Sequence, residues 1–404
     1  MSNLSFHGGT LVLPDRLLKN GSLQCRDGRI HEIASTAELK LAASEQGGNQ
    51  TMVDLTGRYL CPGFVDIHVH GGHGADFMDG TLEAVRTACA AHLKHGTTTL
   101  YPTTSTGSAD QILCMIDSCK KLMSQTNSGE GSKIGGIHLY GPYFAKDKAG
   151  CHSDHECRVP KEEEFARYFE TGVIKIATCA AELDGATRFY EAAKQNHCLI
   201  TCGHSNASWT EMQRAFENGM RHVDHFWCAM SNVSSVRKAH GFPMQGSMLE
   251  FVLSESEMST EVIADGQHLS SELLEFAWKM KTSKRLCLVT DCNRALDMPP
   301  GRYRFGPSEN GAWFESNGEV GLASPEALAS SIRGMDHMVR TMIRTTSAPL
   351  HEVIRMASLT PAERVNAASE IGSLEVGKVA DLVVLDADFE LERVYVNGLE
   401  AFHR

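Results

Sequence analysis

Eight strand-like apolar runs, separated by helix-like stretches, constrain this chain more than any other feature. They are FVDIHVH (64–70), TTTLYPTT (97–104), IGGIHLYGP (134–142), VIKIATCAAEL (173–183), CLITCGHSN (198–206), HVDHFWCAM (222–230), TEVIADGQH (260–268) and LCLVTDCN (286–293). The segments LEAVRTACAAHLKHG, ADQILCMIDSCKKLM, WTEMQRAFENG and SSELLEFAWKMK repeat apolar residues at three and four, the spacing of an amphipathic helix. Strand–helix alternation implies a parallel sheet, and eight units imply closure into a (β/α)8 TIM-like barrel of the α/β class. Both ends of the chain differ from this middle. LSFHGGTLVL, SLQCRDGRIHEIA and TMVDLTGRYLCPG at the start, and GSLEVGKVADLVVLDADFELERVYVNGLEAF at the end, are strand-rich runs bounded by Gly, Asn and Asp. The expected organisation is therefore a small β-sandwich domain formed by both termini, residues 1–62 and 369–404, around a barrel over residues 63–368.

Composition agrees with a large buried core: 42% of the 404 residues are hydrophobic and 22% charged. The formal net charge of -12 argues against broad binding to nucleic acid or anionic membrane, while leaving room for a local pocket that takes a phosphorylated small molecule. The 13 cysteines are scattered and form no CxxC pair, which reads as free thiols in a reducing cytoplasm. No signal peptide or long apolar span is recognisable, so a cytoplasmic location is expected.

The polar residues able to carry chemistry fall at the C-terminal ends of the strand runs: His68 and His70, Tyr140, His204, His225, His268 and Asp291. In a barrel those ends face one site. His68 and His70 are two apart on a strand and project to the same face, where two imidazoles can ligate one divalent metal. An isolated His204 or His225 would read as a structural histidine, and an isolated Asp291 as a helix cap. Four histidines and an acid converging on one face read instead as a metal centre, with Asp291 exchanging a proton with the attacking water.

The ordered motifs PGFVDIHVHGG, IHLYGPYFAKDKAGCH, GHSNAS, HFWCAMS, ADGQH, LVTD and GSLEVGKVADLVVLD resemble those of the N-acetylglucosamine-6-phosphate deacetylases, within the amidohydrolase superfamily. The resemblance implies hydrolysis of the acetamide of an amino-sugar phosphate, giving glucosamine-6-phosphate and acetate. It implies one or two divalent ions, Zn2+ foremost, and a homodimer. It matches His204, His225, His68, His70 and Asp291 to metal ligands, with Asp291 also the general acid/base. His152, His268, the backbone at Cys228 and Ala229, and Arg237 match substrate-binding positions. GLASPEALASSI (321–332) reads as a loop entering a helix near the site.

The chain departs from that pattern in the third run. HLYGP carries Tyr140 where the family has a Glu ligand, and Cys228 stands where the family has Asn. Three arrangements are open. The metal can move toward His68, His70 and Asp291, with His204 or His225 completing its sphere and Tyr140 contacting the oxyanion. Alternatively Asp154, His155 or Glu156 supplies the ligand, or the site holds metal poorly. Three other functions stay open with them: hydrolysis of another N-acyl or cyclic amide, deamination, and a silent sugar-phosphate-binding barrel. Barrel deaminases place a Glu close after the fifth-strand His, whereas here SNASW follows His204 and the first acid is Glu211.

Overall fold

The computed structural model describes residues 3–35, 50–125, 129–325 and 327–404. Eight parallel strands follow the eight apolar runs in order: Phe64–Val69, Thr97–Pro102, Ile137–Leu139, Ile174–Thr178, Leu199–Cys202, His222–Val223, Ser259–Val262 and Leu286–Leu288. The first two pair with each other, the second also pairs with a short Lys133–Ile134 strand, and the third to eighth form one six-stranded parallel sheet. Isolated parallel bridges join these sheets, Thr103 with His138 on one side and Val69 with Cys292 on the other. The architecture is mixed α/β.

Helices follow the strands where the periodicity predicts them. Leu82–Leu93 starts at Thr81, whose hydroxyl accepts from the Ala84 N–H, and Ala109–Met123 starts at a capping box of Ser108 and Gln111. KEEEF opens the helix Glu162–Phe169 with three carboxylates in its first turn, where the helix dipole favours them. The helix faces pack over the strands in one extensive apolar core that includes Ile67, Val85, Ile116, Phe189, Phe251 and Leu288.

A second sheet joins the chain ends. Tyr59–Pro62 pairs with Leu382–Leu385, so five N-terminal and three C-terminal strands make one eight-stranded sheet. It has a separate apolar cluster around Phe6, Leu23, Leu60, Leu382 and Tyr395. The polar segment NSGEGSK (127–133) reads as a solvated loop; its residues 127 and 128 lie outside the described residues, and Lys133 enters a strand. The stretch 321–332 is not simply a loop: Gly321–Ser324 and Ala327–Leu328 complete a four-stranded antiparallel sheet with Gly301–Phe305 and Ala312–Ser316. The next helix starts later, at Met335.

His95, just after the first helix, ties that helix to the helix Met335–Thr345. Its Nδ1 lies 2.8 Å from Asp336 and its Nε2 3.2 Å from Asp297. Burial opposes the charged ring, but the two carboxylates outweigh burial and push its pKa up to about 9, above the unfolded value near 6.5. A raised folded pKa makes this contribution complete below the unfolded value and lost as pH rises through the folded one. His95→Gln should therefore cost at most about 3 kcal/mol near pH 6 and much less near pH 9.5, read from urea unfolding at both. A cost that does not shrink with pH would assign His95 a packing role alone.

Candidate metal centre and active site

Strand ends bring the predicted residues to one buried centre. His68 lies in the first strand, and His70 follows that strand's end; both project inward and are at most 1% exposed. The Asp291 N–H donates to the His68 carbonyl at 2.8 Å, so the eighth strand delivers Asp291 beside the first. Asp291 has a left-handed backbone, φ 45°, a conformation Asp and Asn tolerate better than most residues. Its Oδ1 lies 3.2 Å from His70 Nε2 and 3.5 Å from His68 Nε2. Ligand atoms of His68, His70 and Asp291 all lie within 4.8 Å of one another.

This group fits a divalent cation. Among the described residues, His68 Nε2 and His70 Nδ1 are buried without a hydrogen-bond partner and His70 Nε2 meets only the Asp291 carboxylate at 3.2 Å, and orphaned buried nitrogens are costly unless something meets them. Burial raises the Asp291 pKa, yet His68 and His70 hold its carboxyl well below the usual range. Burial opposes charge on His68 too, but Glu261 and Asp291 push its pKa up to about 9.

His204 and His225 meet nearby. The His204 Nδ1 lies 2.5 Å from the Lys148 carbonyl, which can only accept, so the Nε2 lone pair is free. That Nε2 is 3.2 Å from His225 Nε2, and two ring nitrogens at this distance need a proton or a cation between them. Burial pushes both histidines down, His225 to about 4, keeping them neutral as metal ligation requires. Tyr140 joins the pair, its phenol oxygen 2.5 Å from His225 Nε2. Thr104 fixes that residue's backbone through two hydrogen bonds of 2.8 Å. Burial, reinforced by Asp224 and Asp291, holds the phenol well above its ordinary pKa, so it stays a neutral donor.

Above this floor opens a cavity of about 290 Å³. Tyr140, His204, His225 and Asp291 face it, together with the expected substrate residues His152, Cys228, Ala229 and His268. The Thr106 N–H points to His152 Nδ1 at 3.4 Å, leaving the His152 Nε2–H as a donor. His268 Nδ1 is paired with Asp265 at 2.8 Å. Leu328 and Ser330, from the 321–332 stretch, complete the wall. Arg237 does not line the cavity; it is exposed on the helix Val233–His240 with its guanidinium 4.5 Å from the Phe242 ring centroid. Asp154, His155 and Glu156 form a short exposed turn, His155 being 92% exposed, and none lines the cavity.

Three buried carboxylates were absent from the sequence reading. Asp66 accepts from the Thr290 hydroxyl at 2.5 Å, linking the first and eighth strands. Glu261 reaches His68 Nδ1 at 2.7 Å, and Asp224 accepts from the Thr201 hydroxyl. Each stands inside an apolar strand run, FVDIHV, TEVIA or HVDHF, and that was the available signal: a charge inside such a run is buried and needs a partner.

The Amidohydrolase family model matches residues 59–400, spanning all eight parallel strands. The chain belongs to the amidohydrolase family. This amidohydrolase is 30% identical to the N-acetylglucosamine-6-phosphate deacetylase of Bacillus subtilis (strain 168), over 97% of this chain and 95% of that one. It is 29% identical to the N-acetylgalactosamine-6-phosphate deacetylase of Escherichia coli O157:H7, over 84% of this chain and 86% of that one. Among solved structures it is similar to a variant of the Mycobacterium smegmatis N-acetyl-D-glucosamine-6-phosphate deacetylase in complex with N-acetyl-D-glucosamine-6-phosphate. The TM-score is 0.87 at 25% identity, covering 99% of this chain and 100% of that one. Among the described residues, no helix of the amidohydrolase is long and apolar enough to cross a membrane.

Proposed function

We propose that this amidohydrolase is a metal-dependent deacetylase that hydrolyses N-acetylglucosamine-6-phosphate to glucosamine-6-phosphate and acetate. The observation that carries the reading is the buried His68–His70–Asp291 group, whose Asp291 lines a cavity of about 290 Å³ together with His204 and His225. The similarity to deacetylases of two amino-sugar phosphates supports the substrate class.

His68, His70 and Asp291 would hold the ion, with His225 or His204 completing its sphere, and Zn2+ suits this nitrogen-rich set. When bound, such an ion supplies Lewis acidity, bringing the pKa of water toward about 7 and polarising an acyl oxygen. The chain's own residues do the rest. Asp291, ionised and open to the cavity, takes a proton as the water oxygen attacks the acyl carbon. Tyr140 and the His152 Nε2–H donate to the acyl oxygen as negative charge develops there. Asp291 then gives its proton to the nitrogen as the C–N bond breaks, because an unprotonated amine is a poor leaving group. His268 and the backbone turn at Cys228 and Ala229 receive the phosphate. Among the described residues no Arg or Lys lines the cavity, which favours Arg237 acting from the partner in a homodimer.

The same reading takes the parallel strands and their two bridging contacts as one closed (β/α)8 barrel over residues 63–368. Segments 1–62 and 369–404 then form the β-sandwich. A role in amino-sugar metabolism in the cytoplasm agrees with thirteen free cysteines.

The test is acetate release from N-acetylglucosamine-6-phosphate, N-acetylgalactosamine-6-phosphate and unphosphorylated N-acetylglucosamine, with ammonia release from aminated heterocycles assayed in parallel. Turnover of the first at least about tenfold above the unphosphorylated sugar is expected. Equal turnover with and without phosphate would move the assignment to another amide, and ammonia release from aminated rings would move it to deamination.

A further inference from the structure

Glu261 lies on the seventh strand, 1% exposed. Its Oε1 sits 2.7 Å from His68 Nδ1 and accepts from the His225 backbone N–H at 3.3 Å. Among the described residues its Oε2 has no hydrogen-bond partner, with His222 Nε2 4.0 Å away. A carboxylate buried this deeply costs several kcal/mol by desolvation alone and is kept only where strong partners offset it. The partner here is the imidazole whose far nitrogen, Nε2, faces Asp291.

A carboxylate accepting from Nδ1 fixes the ring as the Nδ1–H tautomer, orients it, and makes Nε2 more basic. Through the His225 N–H the same oxygen ties the sixth strand to the first. One side chain thus spans two of the strands that carry candidate ligands. We propose that Glu261 is a positioning residue: by holding His68 with Nε2 turned to the centre, and by adding negative charge behind it, Glu261 sets the metal affinity of the site. The inference rests on the metal-centre reading above.

The probe is Zn2+ alone. The full chain is stripped with a chelator, and its affinity is measured by competition with a coloured chelator, for the wild type, Glu261→Gln and Glu261→Asp. Glu261→Gln keeps the shape but removes the charge and can present an NH2 group to His68 Nδ1. Glu261→Asp keeps the charge but withdraws it by one methylene. Both should bind Zn2+ about 10–100-fold more weakly than the wild type. A metal-free protein with unchanged circular dichroism, and kcat recovering at saturating Zn2+, would separate positioning from general damage to the fold. If one variant fails to fold, the other decides. Tight Zn2+ binding by the wild type and by both variants would overturn the proposal while leaving the metal centre intact. Failure of the wild type itself to bind would overturn the metal centre and this proposal with it.

Discussion

Replacing Asp291 by asparagine should lower kcat for acetate release by about 10²–10⁴-fold while the protein stays folded and, at saturating metal, loaded. The substitution removes little besides charge. Asparagine tolerates the left-handed backbone held at φ 45°, and the N–H that ties residue 291 to the His68 carbonyl is unchanged. His68, His70 and the neighbouring His225 remain as the proposed ligands. The lost element is a carboxylate that burial alone would neutralise but that His68 and His70 keep ionised. An amide in that place can neither accept the water's proton nor return one to the nitrogen. Kinetics and metal content measured on the same preparation decide the matter. Near-wild-type turnover in the loaded variant would remove Asp291 from the proton-transfer role.

The second large effect falls on Tyr140. Tyr140→Phe should lower kcat by about 10²-fold, near 2.7 kcal/mol, with a smaller change in KM, because the phenol is assigned to charge that appears only as the acyl carbon is attacked. The ring is buried between His68, Phe144 and His204, so phenylalanine fills the same volume. Tyr140→Glu asks a different question of the same position. It places a carboxylate beside two imidazole nitrogens that already face each other at 3.2 Å, completing a second ligand set. Metal content should rise by about one ion per chain, measured by elemental analysis after dialysis. Unchanged kcat in the phenylalanine variant would exclude the oxyanion role, and unchanged metal content in the glutamate variant would exclude a vacated ligand position at Tyr140.

These positions were legible in the sequence for a local reason. His68, His70, His204, His225 and Asp291 each close or follow an apolar run, and a parallel sheet brings the ends of such runs together whatever the loops between them do. The pairing of the two termini was legible likewise, from strand-rich runs at both ends bounded by Gly, Asn and Asp, and Tyr59–Pro62 does pair with Leu382–Leu385. What could not be read was partnership. Glu261 meets His68 across 193 residues of chain, and Asp66 meets Thr290 across 224. Neither pair leaves a mark in local spacing. The hairpin at 301–316 was missed for another reason. Its strands are short, and only Phe305 and Phe314 are fully buried along with Ser316, so the apolar pattern is carried by few residues. Arg237 illustrates the reverse case: the family resemblance matches it to a substrate-binding position, but a single chain leaves it exposed beside Phe242, away from the cavity lining.

The His68–His70–Asp291 centre is proposed to serve amide hydrolysis on a phosphorylated amino sugar. The most direct test is acetate release from N-acetylglucosamine-6-phosphate by chelator-stripped protein, titrated with Zn2+. Turnover should be near zero without metal and rise until about one ion per chain is bound. Folded, fully loaded protein that releases no acetate from this substrate would contradict the claim.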